Sequence, residues 1–255
     1  MLKFTPALVV AAGLIVVPMP GRERIHAAGA VARSAAHAAA VHALANRMPE
    51  PAREVLAAAA HSFTNIGGLN PEVFSLALAA ASCAVRSGSI EQLTTLTVID
   101  YSLPSTEKRL WVFDVAAKVL RYEELVAHGS GSGENRATTF SNEPETHQSS
   151  LGLFRTEDTY MGRNGYSLRL RGLDSGFNDR AYERAIVMHG APYVSDDLAR
   201  AQGRLGRSWG CPALRSGVAR ELIDTVKGSG LLFAYYPDQE WLRSSKYLGD
   251  CASAS

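Results

Sequence analysis

The feature that most constrains this chain is a change of hydrophobic period near Leu93. From about Val31 to Ser87 an Ala-rich stretch carries apolar residues at helical spacing. After Leu93 the chain breaks into short β-branched and aromatic runs divided by Gly, Pro and Ser clusters. One such switch predicts a small helical segment, residues 31–92, followed by a mainly β (α+β) domain over residues 93–248 with two or three short helices.

Individual signals refine this reading. Asn70-Pro71-Glu72 combines a capping Asn, Pro at the first helical position and an acid in the first turn, and so predicts a helix start. Val73, Phe74, Ala77, Leu78 and Ala81 then share one face, and Ser87-Gly88-Ser89 ends the helix. Strands are expected around Leu96–Ile99, Leu110–Phe113, Val119–Tyr122, Leu125–Ala127, Tyr166–Leu170 and Leu231–Tyr236. A further short strand over Ala185–Met188 is expected to end at His189-Gly190. Ser195 with Asp196 and Asp197 predicts a short capped helix to Gln202, and Val218–Val226 a second one. Gly129–Gly133 reads as a flexible loop; it is not a phosphate-binding loop, because no Gly-Lys-Ser/Thr follows.

The N-terminus reads as a targeting segment. Lys3 is followed by an apolar run over Ala7–Val17, too short for a membrane span of about 20 residues. Ala28-Gly29-Ala30 is a small-residue cleavage candidate. Residues 1–30 are therefore expected to be a signal peptide or a retained membrane anchor, and the protein to be exported to the periplasm or cell envelope. Residues 249–255 read as a tail. The net charge of +1 gives no basic excess for binding nucleic acid.

Three cysteines, Cys83, Cys211 and Cys251, leave at least one thiol unpaired within a monomer. Cys83 and Cys251 are compatible with a disulfide, although Cys83 in its apolar helical run reads equally well as a core residue. No Cys-x-x-Cys or His-x-x-x-His pair stands in the β region, so neither a zinc site nor another cofactor is expected.

The chemistry concentrates in Arg204-Leu205-Gly206-Arg207-Ser208-Trp209-Gly210-Cys211-Pro212-Ala213-Leu214. A glycine before the thiol and a proline after it suit a rigid turn that presents one sulfur. The N–H groups near Trp209, Gly210 and Cys211 are oxyanion-hole candidates. A thiol with a pKa of about 8.5 needs a base or a cation to become a nucleophile, and His189, expected at a strand end, is the candidate. His128 reads as structural, and His147, in a polar loop, points to no role.

Met188-His189-Gly190 with Ser208-Trp209-Gly210-Cys211-Pro212 resembles the His-Gly…Ser-x-Gly-Cys signature of the L,D-transpeptidase catalytic domain, the YkuD-like fold. Leu103–Val112, Ala127-His128-Gly129, Phe140-Ser141-Asn142, Ser149–Gly152, Gly165–Leu168 and Ala181–Arg184 are similar to its murein branch. The resemblance implies a β-sandwich or barrel with short helices, acting on peptidoglycan stem peptides without a metal. It implies that Cys211 attacks a stem tetrapeptide, releases D-Ala and forms a thioester, which is passed to an amine (transpeptidase) or to water (L,D-carboxypeptidase). His189 is then the base, oriented by the Gly190 carbonyl, with Ser208 and Gly210 shaping the turn. Carbapenem sensitivity is implied as well. The commoner family pattern places His two residues before the Cys and Arg two after it; here Trp209 and Ala213 stand there. Arg204 and Arg207 become candidates for binding a substrate carboxylate. Tyr166 is a pocket candidate by resemblance, and Trp209 either walls the site or packs, with packing preferred. Rival readings are a cysteine peptidase or amidase on wall-attached protein and a non-catalytic peptidoglycan-binding module.

Overall fold

A computed structural model describes residues 60–249. The expected signal segment, most of the Ala-rich stretch, Cys251 and the tail lie outside the described residues. Among the described residues no helix is long and apolar enough to cross a membrane.

The architecture is sheet-dominated with short helices, as expected. Helix α1 spans Pro71–Arg86. The strands are β1 (Thr95–Asp100), β2 (Leu110–Asp114), β3 (Val119–Glu124), β4 (Val126–Ala127), β5 (Gly152–Gly162), β6 (Gly165–Gly172), β7 (Val187–Ala191), β8 (Ala213–Arg215) and β9 (Gly230–Tyr235). Helices α2 (Asp196–Gln202), α3 (Ser216–Val226) and α4 (Gln239–Ser244) complete it. The nine strands among the described residues form one sheet in the order β3-β2-β1-β9-β5-β6-β7-β8-β4. The β1–β9 and β7–β8 pairs are parallel and the remainder antiparallel.

Helix α1 begins as its sequence dictates. The Asn70 side chain accepts from the N–H groups of Glu72 (2.8 Å) and Val73 (3.3 Å), a cap worth about 1 kcal/mol. Its apolar face packs into the sheet, with Phe74 4.5 Å from Phe113 between ring centroids. Helix and sheet share one hydrophobic core, so the boundary expected at residue 93 does not separate two cores. Cys83, buried in α1, is disulfide-bonded, and among the described residues Cys211 is the free thiol. Every residue of β1 and β9 is buried, the pattern of central strands covered on both faces. Trp241 of α4 packs on Phe233 of β9.

Three local expectations are corrected. The long strand β5 has no counterpart in the sequence reading, because its register shifts between Thr156 and Thr159 and breaks the alternation. Strand β7 runs on to Ala191, so His189 stands inside the strand and not at its end. Gly129–Gly133 is a pinned turn, not a flexible loop. Ser130–Ser132 form a 3-10 turn, and the buried Ser132 hydroxyl accepts the Ser149 N–H at 2.9 Å.

Candidate active site

The Cys211 turn is placed by pairing. His189 of β7 is in parallel register with Ala213 of β8, and Cys211 lies two residues before Ala213. The turn is braced from within. Ser208 Oγ donates to the Cys211 carbonyl at 2.6 Å and accepts the Gly210 N–H at 3.1 Å. It is braced from below by the 129–149 segments. Ser149 Oγ donates to the Gly210 carbonyl (3.1 Å) and accepts from the Gly129 N–H (3.0 Å), while Ser208 N–H donates to the His128 carbonyl (3.0 Å). Gly210 has φ 114°, and a Cβ there would lie 2.8 Å from both the Gln148 carbonyl and Ile186 Cδ1. Only glycine fits.

Cys211 is 8% exposed. Its sulfur accepts the Val187 N–H at 3.4 Å and donates to the Ala185 carbonyl at 3.8 Å. The strained end of this cradle is Ala185, at φ 53°. His189 lies two residues past Val187, about 7 Å further along the strand, and no hydrogen bond joins its ring to the sulfur among the described residues. Burial pushes the Cys211 thiol above its ordinary range, opposed by the Val187 N–H and the Arg184 charge. Burial also lowers His189, opposed by its bond to Gly190. His189 Nδ1 lies 3.0 Å from the Gly190 carbonyl, which can only accept. The proton of the neutral ring therefore sits on Nδ1 and leaves Nε2 as a free acceptor, the tautomer a general base requires.

The oxyanion-hole expectation narrows. The Gly210 N–H is committed to Ser208, leaving those of Trp209 and Cys211 without an intramolecular partner among the described residues. Trp209 does not pack into the core: it is 69% exposed and stacks on His147, with ring planes 6° apart and centroids 4.9 Å apart.

The other candidates fall elsewhere. Arg204 and Arg207 both pair with Glu134, at 3.0 and 2.7 Å, and Arg207 also donates to the Gly133 carbonyl. Their charge is thus partly spent on an exposed carboxylate. Tyr166 lies away from His189. Ser167 is the cross-strand partner of His189, so Tyr166 points to the other face, where its hydroxyl donates to Asp224 of α3 at 2.5 Å and Arg220 covers its ring.

Sequence reasoning missed several residues the structure brings to the turn. Arg184 donates to the Ser141 carbonyl (2.7 Å), Ser150 Oγ (2.6 Å) and the Gln148 carbonyl (2.7 Å). Tyr101, buried and hydrogen-bonded to Ser149, is pushed up to about 12 and feels the Cys211 charge. Arg184 and Ser149 belong to segments that carried the family resemblance, which was the only signal for them. His128 is structural, held between Arg109 and Gly133. Among the described residues no cluster of His, Cys, Asp and Glu could hold a metal. A concavity of about 560 Å³ lies toward the other end of β9, lined by Gln92, Arg155, Glu157 and Ser229. It contains no thiol and no imidazole, so the chemistry stays with Cys211.

Residues 65–235, more than half of the chain, match the family model described as the L,D-transpeptidase catalytic domain. No curated protein matches the chain in sequence. Similar solved structures include an L,D-transpeptidase from Mycobacterium smegmatis (13% identity, 56% of this chain and 59% of that one, TM-score 0.36). One from Mycobacterium tuberculosis H37Rv gives 15%, 56% and 58%, with TM-score 0.33. L,D-transpeptidase 3 from Mycobacterium tuberculosis, in complex with a faropenem-derived adduct, gives 14%, 56% and 60%, with TM-score 0.34. The chain thus spans about six tenths of the length of these structures.

Proposed function

Because the chain belongs to the L,D-transpeptidase catalytic domain family, we propose that Cys211 is the nucleophile of an acyl-transfer reaction on peptidoglycan stem tetrapeptides in the cell envelope. The observation that carries this reading is the free Cys211 thiol on a braced glycine turn, one parallel strand from a correctly tautomerised His189.

The thiol rests protonated, because burial disfavours its anion. It needs a base at the moment of attack, and His189 Nε2 accepts its proton. The sulfur must first turn away from the Ala185 carbonyl, which it does as substrate enters. Sulfur adds to the carbonyl that precedes the terminal D-Ala, and the oxyanion takes the Trp209 and Cys211 N–H groups. Collapse breaks the C–N bond, His189 returns its proton to the departing amine, and D-Ala leaves. A thioester remains on Cys211. An amine from a second stem attacks it to give a cross-link; water gives the shortened stem. The role is that of a transpeptidase with hydrolysis as the competing outcome, and a carbapenem is expected to acylate the same sulfur.

The test is to incubate purified protein with disaccharide-tetrapeptide and follow products by mass spectrometry, with Cys211→Ala as control. Cross-linked dimer that depends on Cys211 supports the transpeptidase, and tripeptide alone makes it a carboxypeptidase. Untouched substrate with folded wild-type protein rejects stem tetrapeptide as donor.

A further inference from the structure

We propose that Arg184 is the positioning residue that supplies positive charge to the Cys211 thiolate, holding the 141–150 segment against the nucleophile turn as it does so. The inference rests on the reading of Cys211 as nucleophile and names the cation that reading lacks.

Three observations carry it. The first is placement. Arg184 Nη2 donates to the Gln148 carbonyl, and that carbonyl lies 2.8 Å from where a Gly210 Cβ would stand, with Nη2 itself 3.5 Å from that point. The guanidinium therefore lies across the residue that precedes the nucleophile. One residue later, the Ala185 carbonyl accepts from the sulfur.

The second is charge balance. All three acceptors of Arg184 are neutral, two carbonyls and one hydroxyl. Arg180, Arg204, Arg207 and Arg215 each hold a carboxylate. Among the described residues no carboxylate lies within ion-pairing distance of Arg184. A guanidinium stays protonated at any working pH, and the one carboxylate that acts on it, Glu143, does so from beyond ion-pairing distance and is itself held by Arg180. The field of the guanidinium acts through a medium that screens it less than water does.

The third is the absence of a rival. Arg184, Tyr101 and Tyr193 all act on the sulfur electrostatically. Both tyrosines are pushed up to about 12 and stay neutral at working pH. His189 is lowered and neutral as well. Ala213, two residues past the thiol, is fully buried and uncharged. Arg184 thus acts on the sulfur as a full positive charge, which neither tyrosine nor His189 carries.

The test reads the thiolate directly. With Cys83 in a disulfide, the pH profile of iodoacetamide alkylation at Cys211 is measured for wild type, Arg184→Gln and Arg184→Lys. The Gln variant keeps an amide donor but no charge. Its midpoint is expected to rise by about one pH unit, roughly tenfold less thiolate below the midpoint, while Lys stays close to wild type. D-Ala release should fall about tenfold in Gln and recover in Lys. Equal midpoints for wild type and a folded Gln variant overturn the proposal. If the Gln variant does not fold, wild type alone decides. A cation beside the sulfur makes anionic iodoacetate faster relative to neutral iodoacetamide than it is with free cysteine. A ratio equal to or below that of free cysteine overturns the proposal. Alkylation needs no peptidoglycan, so a wild-type protein with the expected profile that leaves tetrapeptide untouched rejects the substrate and keeps the role of Arg184.

Discussion

Ser208 Oγ donates to the Cys211 carbonyl at 2.6 Å and in the same geometry takes up the Gly210 N–H at 3.1 Å. One buried hydroxyl therefore closes the turn on both sides of the nucleophile and turns the Gly210 N–H away from any oxyanion. Ser208→Ala leaves two buried backbone groups unpaired, at about 1–3 kcal/mol. The expected result is a lower melting temperature and a loss of D-Ala release of about tenfold to a hundredfold, mainly in kcat. Unchanged kcat would show that the turn keeps its shape without the hydroxyl.

His128 is fully buried and lowered to about 4, by burial first and by the Arg109 charge next. Arg109 Nη2 can only donate, so His128 Nδ1 accepts it at 2.8 Å, and Nε2–H faces the Gly133 carbonyl. Above about pH 6.5 the ring is neutral both folded and unfolded, and the shift has no effect. Between 6.5 and 4 the unfolded chain binds the proton and the folded protein does not, so stability falls as pH falls. The loss is on the order of 3 kcal/mol and levels off below pH 4. His128→Asn keeps an acceptor for Arg109 and should flatten most of this acid slope in melts at pH 4–7. The remaining slope belongs partly to His189, which is lowered in the same direction. An identical slope in the variant would move the acid sensitivity to another group.

Glu134 holds both Arg204 and Arg207. If these arginines serve an acidic substrate, Glu134→Gln frees them and should lower KM for a stem with a free carboxylate severalfold. Exposed pairs carry little stability, so the melting temperature should barely move. A raised or unchanged KM would leave Arg207 as a brace for the Gly133 carbonyl and nothing more.

How legible all this was follows from where the information sits. The start of α1 was readable because Asn70 and Pro71 act within one turn of chain. Strand β9 was readable because burial on both faces leaves an unbroken apolar run. Strand β5 was hidden, since its bulge sets Glu157 and Asp158 in mid-strand, and Glu157 is held there by Arg155 and by Arg171 on the facing strand. Cys211 and His189 stood out as residue types beside glycines. Arg184 did not, because its meaning is a hydrogen-bonding pattern to residues 34–43 positions away. The packing partner of Trp209 was hidden for the same reason, His147 being remote in sequence.

Trp209 stands two residues from the thiol, exposed, its ring held flat by His147. Since it buries little, Trp209→Ala should change stability by less than about 0.5 kcal/mol. An exposed aromatic that is already ordered is a low-entropy anchor for a ligand, so the variant should raise KM severalfold and leave kcat nearly intact. Thermal melts and D-Ala release kinetics measure both. A melting temperature several degrees lower with unchanged KM would make the ring a structural lid for the His147 segment.

Gly210 gives the sharpest substitution. At φ 114° a side chain is strained whatever the space, and here the space is closed by the Gln148 carbonyl and Ile186, each 2.8 Å from the added Cβ. The Gln148 carbonyl cannot retreat easily, because Arg184 holds it at 2.7 Å. Gly210→Ala must therefore shift the turn itself, carrying the Cys211 N–H and sulfur with it. Strain of this kind costs about 1–3 kcal/mol, and a displacement of about 1 Å at a nucleophile costs roughly a hundredfold in rate. The expected outcome is a folded protein with a modestly lower melting temperature whose D-Ala release is at least a hundredfold slower. Cys211 should still alkylate, since the thiol remains present. Near-normal turnover would mean that the turn absorbs a methyl group without moving the sulfur, and that the bracing by Ser208 and Arg184 is looser than the distances indicate.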